Sequence, residues 1–428
     1  MGLDPFNLKL LRAVRNADAY AFHELLTLDE IVSSPRFDVP ALLDKARATL
    51  RAFPDPVDAI VGYWDFPSVL MMPILRREWG LRGPSLESVL RCEHKYWSRL
   101  AQAEAVPDLV PPFALVDPFA VSRRDPPPLD YPFWLKPVTA HSSLLGYRIR
   151  TRGDFAQALD AIRAGIHRFT DPLDALMGYA DLPDAVAGLD GPQCIAEAII
   201  SQGRQCTLEG YVFDGTVEIY GIVDSIRGRN RSSLERYEYP SSLPERIKGR
   251  MRDAATRVVA HIGLTDTPFN MEFFYDRDRD AIALLEINAR ISKSHSPLFD
   301  KVEGVPHKEV MIDVALGRRP DYPARRGRFR YAAKFMPRLY GNHDDWVVSH
   351  APDEATLRRL EARVPGAEIE LHVKPGMRLA DMTMRDPYSY ELATLFLGAD
   401  SRTALKRDFA RLWRLIDLRF DGQEGVAA

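Results

Sequence analysis

Two apolar runs, residues 269–275 and 281–288, flank the charged pentapeptide Asp276-Arg277-Asp278-Arg279-Asp280, the pattern of a β-hairpin with a solvated tip. Side chains alternate across a strand, so Glu286, Asn288 and Arg290 fall on one face, and the hairpin brings Glu272 beside them. Elsewhere the periodicity is mixed. Residues 1–55 carry apolar positions at helical spacing; residues 57–63 read as a short strand, 69–79 as a helix stopped by Gly80, and 86–105 as a helix opened by Ser85. A strand, a loop and a helix in that order predict a parallel sheet with ligands at its loop ends. Further strands are expected at 133–138, 147–150, 193–200, 327–339 and 369–373, and a hairpin at 206–213 and 216–223 around Asp214-Gly215. Helices are expected at 154–168, Glu245–Ile262, 308–316, 353–364, 388–396 and 401–418.

Eight prolines between Pro107 and Pro132 exclude a helix interior or a central strand, which makes that stretch a stiff connection between domains. A chain of 428 residues has room for two to four domains. The formal net charge of −3, without a long run of one sign, leaves no electrostatic footprint for nucleic acid or an anionic membrane. The first residues lack a basic region followed by an apolar core and a cleavage site, and no apolar stretch approaches membrane-spanning length; a cytoplasmic protein is expected. Cys92, Cys194 and Cys206 are dispersed and odd in number, which argues for reduced packing residues rather than a disulfide framework or zinc site.

The hairpin carries the candidate chemistry. Two carboxylates and an amide oxygen are the hard ligands that magnesium prefers, and a neighbouring guanidinium suits phosphate or acyl phosphate. The solvated face of an ordinary half-buried strand shows the same alternation, so the surroundings decide. Lys136 ends one predicted strand, and the loop after it, 139–146, brings His141, Ser142, Ser143 and a closing Gly146, hydroxyl and backbone groups able to wrap phosphate oxygens. Lys95 lies on a predicted helix, where a solvated lysine is the ordinary outcome. Asp65 and Ser68 precede the helix at 69–79 and are read as caps before ligand contacts. Arg227, Arg229 and Arg231 stand at period two in a polar segment, 227–239, read as a loop beside an anionic substrate or as a solvated one.

Taken in order, Lys95, Lys136, the 139–146 loop, Glu197, Glu272 and the run Glu286-Ile287-Asn288-Ala289-Arg290 resemble the ATP-grasp superfamily, especially its carboxylate–amine ligases, with a tail similar to biotin-carboxylase-like and L-amino-acid-ligase-like members. The resemblance implies an α/β and α+β architecture: an N-terminal helical segment and Rossmann-like domain over 1–110, a two-part ATP-grasp domain over 111–200 and 201–320 with a hairpin-borne metal site, and a C-terminal α+β extension over 321–428. It implies ATP with magnesium, two ions in such members and manganese as a substitute. Lys95 and Lys136 would meet the phosphates, with His141, Ser142 and Ser143 supplying contacts that glycines supply elsewhere in the family. Glu197 would meet the adenine end, and Gln205 stands where many members carry an acidic residue for the ribose. Glu272, Glu286 and Asn288 would hold the metals, and Arg290 the transferring phosphoryl group. Glu209 matches a substrate-facing position of amino-acid-ligase-like members. Lys293 and His295, in place of a common glycine pair, would grip a carboxylate or phosphate, as would Arg227; a structural histidine bonded to backbone is the alternative reading of His295. The implied reaction is ADP-forming: a small carboxylic acid becomes an acyl phosphate and is joined to an amine. An ATP-dependent carboxylase, a simple phosphotransferase and a catalytically silent nucleotide-binding regulatory module are the alternatives. The partners implied are a small carboxylate and an amine, and a homodimer is compatible with the resemblance.

Overall fold

The computed structural model describes residues 1–140, 144–186 and 188–422. Two compact units emerge, one of residues 1–220, 243–293 and 308–322, the other of 221–242, 294–307 and 323–428.

In the first unit the helices are α1 (Pro5–Leu11), α2 (Val39–Ala52), α3 (Ser68–Glu78), α4 (Leu86–Glu93), α5 (Lys95–Ala105), α6 (Arg152–Gly165), α7 (His167–Met177) and α8 (Glu245–Ile262). Strands β1 (Phe113–Val116), β2 (Phe133–Pro137), β3 (Tyr147–Ile149) and β4 (Cys194–Ala198) form an antiparallel sheet in the order β1-β4-β2-β3. Phe133, Leu135 and Ile149 of this sheet and Phe155, Leu159 and Ile162 of α6 are fully buried in one cluster. After β5 (Arg204–Phe213), strand β6 (Thr216–Arg227) passes the division between the units, and β7 (Leu234–Tyr239) belongs to the second. Strands β8 (Thr267–Asp276) and β9 (Ala281–Asn288) form the expected hairpin, with β5 antiparallel to β8. Among the described residues no helix is long and apolar enough to cross a membrane. Cys92, Cys194 and Cys206 are buried thiols.

The strand expected at 57–63 does not form, and among the described residues no strand precedes Phe113, so the Rossmann-like parallel sheet expected there is absent. A lone extended segment has no ladder partner. Two of its carbonyls are met instead by distant donors, Ile60 O by the Arg76 Nε–H at 2.8 Å and Val61 O by Met1 N at 3.1 Å, while the Tyr63 and Trp64 side chains donate to Gly2 O at 3.2 and 2.8 Å. The proline-rich stretch, read as connection alone, contains β1, an edge strand, where prolines are tolerated.

In the second unit the strand Glu368–Leu371 pairs with Ala393–Ala399, which pairs with β10 (Tyr331–Phe335), and β10 with β7, all antiparallel. Two expectations fail here. The 388–396 helix is strand, because every residue of Ala393–Ala399 is buried and the run therefore lacks the alternation that marks a half-exposed strand. The polar segment 227–239 is only partly loop, since Leu234–Tyr239 is the strand β7.

Gly203, just before β5, has φ +86°, and a Cβ there would stand 2.1 Å from the Tyr275 carbonyl oxygen. Neither the strand backbone nor the left-handed dihedral can yield cheaply, so Gly203→Ala is expected to destabilise the unit by about 2 kcal/mol or more. A thermal midpoint unchanged from wild type would contradict this.

Lys308 opens the helix α9 of the first unit's last segment, Lys308–Ala315. Its ammonium is fully buried 3.5 Å from the Tyr63 ring centroid, without a hydrogen-bond partner. Burial pushes the amine down to about 7 from 10.5. Between those values the unfolded chain holds a proton that the folded chain has released, so this group makes stability rise with pH across that window. Lys308→Met is therefore expected to raise the thermal midpoint at pH 7, with the gain shrinking as pH approaches 10; a gain that does not vary with pH would assign it to packing alone.

Candidate active site

The expected helix over 86–105 is two helices, and the break creates one side of the site. His94 takes φ −81° and ψ 99°, ends α4, and caps α5 by accepting the Trp97 N–H on Nδ1 at 3.2 Å. The break puts Glu93 at the end of one helix and Lys95 at the start of the next. The Lys95 N–H then donates to Val138 O at 2.7 Å and its ammonium to Ala140 O at 3.1 Å, which fixes α5 to the start of the 139–146 loop. His141, Ser142 and Ser143 lie outside the described residues.

Below this junction is a buried ion-pair triad. Arg99, one turn along α5 from Lys95, donates from Nε to Glu197 at 3.0 Å and from Nη1 to Leu284 O of β9 at 2.9 Å; Lys136 of β2 holds the other Glu197 oxygen at 2.8 Å. Arg99 and Glu197 are each less than 5% exposed. Burial would raise the Glu197 carboxyl, but Lys136 and Arg99 outweigh it and hold it at about 2. The sequence reading missed Arg99, although its i,i+4 spacing from Lys95 puts both on one helix face.

The hairpin supplies the opposite wall. Its register pairs Glu272 with Glu286 and Asn270 with Asn288, but Phe273 with Leu284, so Leu285 is an extra residue. Such a bulge shifts the alternation by one. It lets Ile282, Leu284 and Ile287 stay buried while Glu286 and Asn288 remain partly exposed. Asn288 Nδ2 donates to Asn270 Oδ1 at 3.0 Å, and Asn270 Nδ2 donates to Arg290 O at 2.9 Å, which locks the end of the strand. The Arg290 guanidinium donates to Asp65 at 2.5 Å from Nε and to Asn288 Oδ1 at 3.3 Å from Nη2. Asp65 is thus a partner of Arg290 rather than a helix cap; α3 is preceded by Pro67 without any side-chain cap. Burial works against the Arg290 charge, and Asp65 and Glu93 more than restore it.

Gln205 Nε2 donates to Glu272 at 2.5 Å, so its amide meets a carboxylate of the hairpin. Glu209 is fully buried, which pushes its carboxyl well above the ordinary range; the Ser292 N–H, 3.4 Å away, and Arg290 oppose that rise. The Lys293 ammonium stands 3.2 Å from the Trp64 ring centroid. Arg227 and His295 belong to the second unit, where Arg227 donates to Ser232 O and the His295 ring stands edge-on to Tyr237 at 4.9 Å.

Lys95 feels Lys136, Glu286, Glu93 and Glu197; Glu93 feels Asp65, Arg290, Lys95 and Glu286. Residues spread from 65 to 290 thus share one electrostatic neighbourhood. Among the described residues no three His, Cys, Asp or Glu side chains converge to hold a metal by themselves. The donor set nevertheless fits magnesium, an ion usually bound by one or two carboxylates together with substrate phosphates.

Arg99→Met is expected to cost about 3 kcal/mol at pH 7, since it strips a buried carboxylate of one partner. In the wild type Glu197 contributes stability that is present above pH 4.5 and lost as pH falls toward about 2. The variant has less of it to lose, so its deficit should narrow across that window. Thermal midpoints at pH 7 and pH 3 check this, and a deficit equal at both would refute it.

Residues 129–297 match the family model described as "ATP-grasp domain". A urea amidolyase from Lachancea kluyveri is 24% identical over 244 residues, which are 56% of this chain and 12% of that relative. The chain therefore spans only a small part of that relative's length. An L-amino acid ligase from Bacillus licheniformis has a similar fold, with TM-score 0.66, 17% identity, and coverage of 90% of this chain and 86% of the other. A biotin carboxylase from Campylobacter jejuni gives 0.60 and 16%, covering 90% and 79%.

Proposed function

From the ATP-grasp domain that this chain carries, we propose that it is a cytoplasmic, ADP-forming ligase that activates a small carboxylic acid as an acyl phosphate and couples it to an amine. The observation that carries this reading is the convergence of Lys95, Lys136, Glu286 and Arg290, from three separate stretches, in one neighbourhood with Glu272 paired to Glu286. Phosphoryl transfer needs positioning and charge neutralisation more than covalent chemistry from the protein. Lys95 and Lys136 bind phosphate oxygens, and the Glu197–Arg99 pair holds Lys136 in place. Arg290, aimed by Asp65 and Asn288, receives the charge that develops on the transferring phosphoryl group and then on the acyl phosphate. Glu272, Glu286 and Asn288 would hold magnesium, which when bound neutralises the terminal phosphates. Gln205 orients Glu272 and so tunes that donor set. Glu209 and Lys293 line the substrate side.

Similarity to a biotin carboxylase fold supports an ATP-dependent carboxylase as the second reading. The two separate cleanly in a release assay. With ATP, magnesium and panels of acids and amines, ADP and phosphate release is expected to require both an acid and an amine, and Glu286→Ala should lower it by about 100-fold or more. Release that needs bicarbonate and no amine would favour the carboxylase, and ATP binding without release under any condition would leave a regulatory module.

A further inference from the structure

We propose that Glu93 is the proton acceptor for the amine nucleophile, an inference that rests on the ligase reading above. The sequence offers no reason to single it out: a glutamate in the last turn of a helix is ordinarily solvated. Three observations promote it. It is the last residue of α4, set by the His94 break beside Lys95, and α4 packs against β9, the strand that carries Glu286 and Asn288. Its Oε1 is shielded from solvent and has no hydrogen-bond partner. A buried carboxylate oxygen left without a donor is uncommon and implies a missing partner. The charged groups around it are Asp65 from the loop before α3, Arg290 after β9, Lys95 of α5 and Glu286 of β9. Asp65 and Arg290 already satisfy each other through their own hydrogen bonds, and Lys95 donates to Ala140 O. A carboxylate beside the arginine assigned to the acyl phosphate thus remains available for a cationic substrate.

An amine arrives as its ammonium form near neutral pH and is nucleophilic only after losing a proton. In the proposed step the Glu93 carboxylate takes one proton from the ammonium and the freed amine attacks the acyl carbon. The new C–N bond forms as the bond from that carbon to the phosphate oxygen breaks. The second proton leaves with the phosphate as hydrogen phosphate. An ammonium, an acyl phosphate dianion and a carboxylate become a neutral amide, a hydrogen phosphate dianion and a carboxylic acid, so charge and protons balance. Burial, reinforced by Asp65, raises the Glu93 carboxyl against the pull of Arg290 and Lys95, the direction that favours proton uptake.

Hydroxylamine tests this, because it is largely unprotonated at pH 7 and captures acyl phosphates without help from a base. With one acid substrate and Mg-ATP, hydroxamate formation reports the first half-reaction and amide formation with an alkylammonium substrate reports both. Glu93→Gln keeps the side chain's shape, and ADP binding by calorimetry verifies that the variant is folded. Amide formation in Glu93→Gln is expected to fall by about 100-fold relative to hydroxamate formation, and the remaining amide rate should climb with pH as free amine accumulates. Equal losses in both products, or no loss in either, would overturn the assignment. A wild-type protein that traps no hydroxamate with any acid would overturn the ligase reading, and the role of Glu93 with it; the two failures are told apart because the second appears before any substitution is made.

Discussion

Arg99 is the side chain on which the site depends. Its guanidinium, almost wholly inside the protein, bonds to Glu197 on β4, to the Leu284 carbonyl on β9 and to Gln102 on its own helix. A buried guanidinium is tolerable only when its charge is paired, which Glu197 does here through Nε. One residue therefore ties α5, the small antiparallel sheet and the β8–β9 hairpin together. Lys136 gains its fixed position from the same carboxylate, so the lysine assigned to phosphate is held by an ion pair that exists without any nucleotide.

The cleft above this triad is a balance of opposed charges. Burial and the neighbouring Lys136 work against the Lys95 charge, and Glu286, Glu93 and Glu197 support it. Arg290 is held cationic by Asp65 and Glu93, while those same carboxylates repel one another. Glu209 and Lys308 show the other regime, in which burial outweighs the neighbouring groups and works against the charged form.

Several features that matter for chemistry run against the simplest local rule. The helix over 86–105 would be more regular unbroken, yet its interruption at His94 is what presents Glu93 and Lys95 together. The β8–β9 hairpin would pair more evenly without Leu285 as an extra residue, yet the bulge lets the same strand bury Leu284 and Ile287 and still offer Glu286 and Asn288. Departures of this kind gather at functional sites because regular structure alone cannot satisfy packing and chemistry at once.

What the amino-acid order determined by itself was local and periodic. The hairpin bounds, the shared face of Glu286 and Asn288, helix α8 and the Asp214-Gly215 turn follow from alternation, capping and turn chemistry, all set by near neighbours in the chain. The tertiary structure decided everything that needs a distant partner. Residues 57–63 are apolar enough for a strand but meet no second strand, so they stay unpaired. Ala393–Ala399 is strand because two neighbours in the sheet satisfy its backbone, and the helices Ser296–Glu303 and Arg402–Trp413 packed against it leave all its residues buried, which erases the alternation that would have revealed it. Asp65 changed from helix cap to partner of Arg290, and Arg99 and Glu93 from unmarked helix residues to parts of the site, because ion pairs and desolvation depend on distances in space, about which sequence spacing is silent.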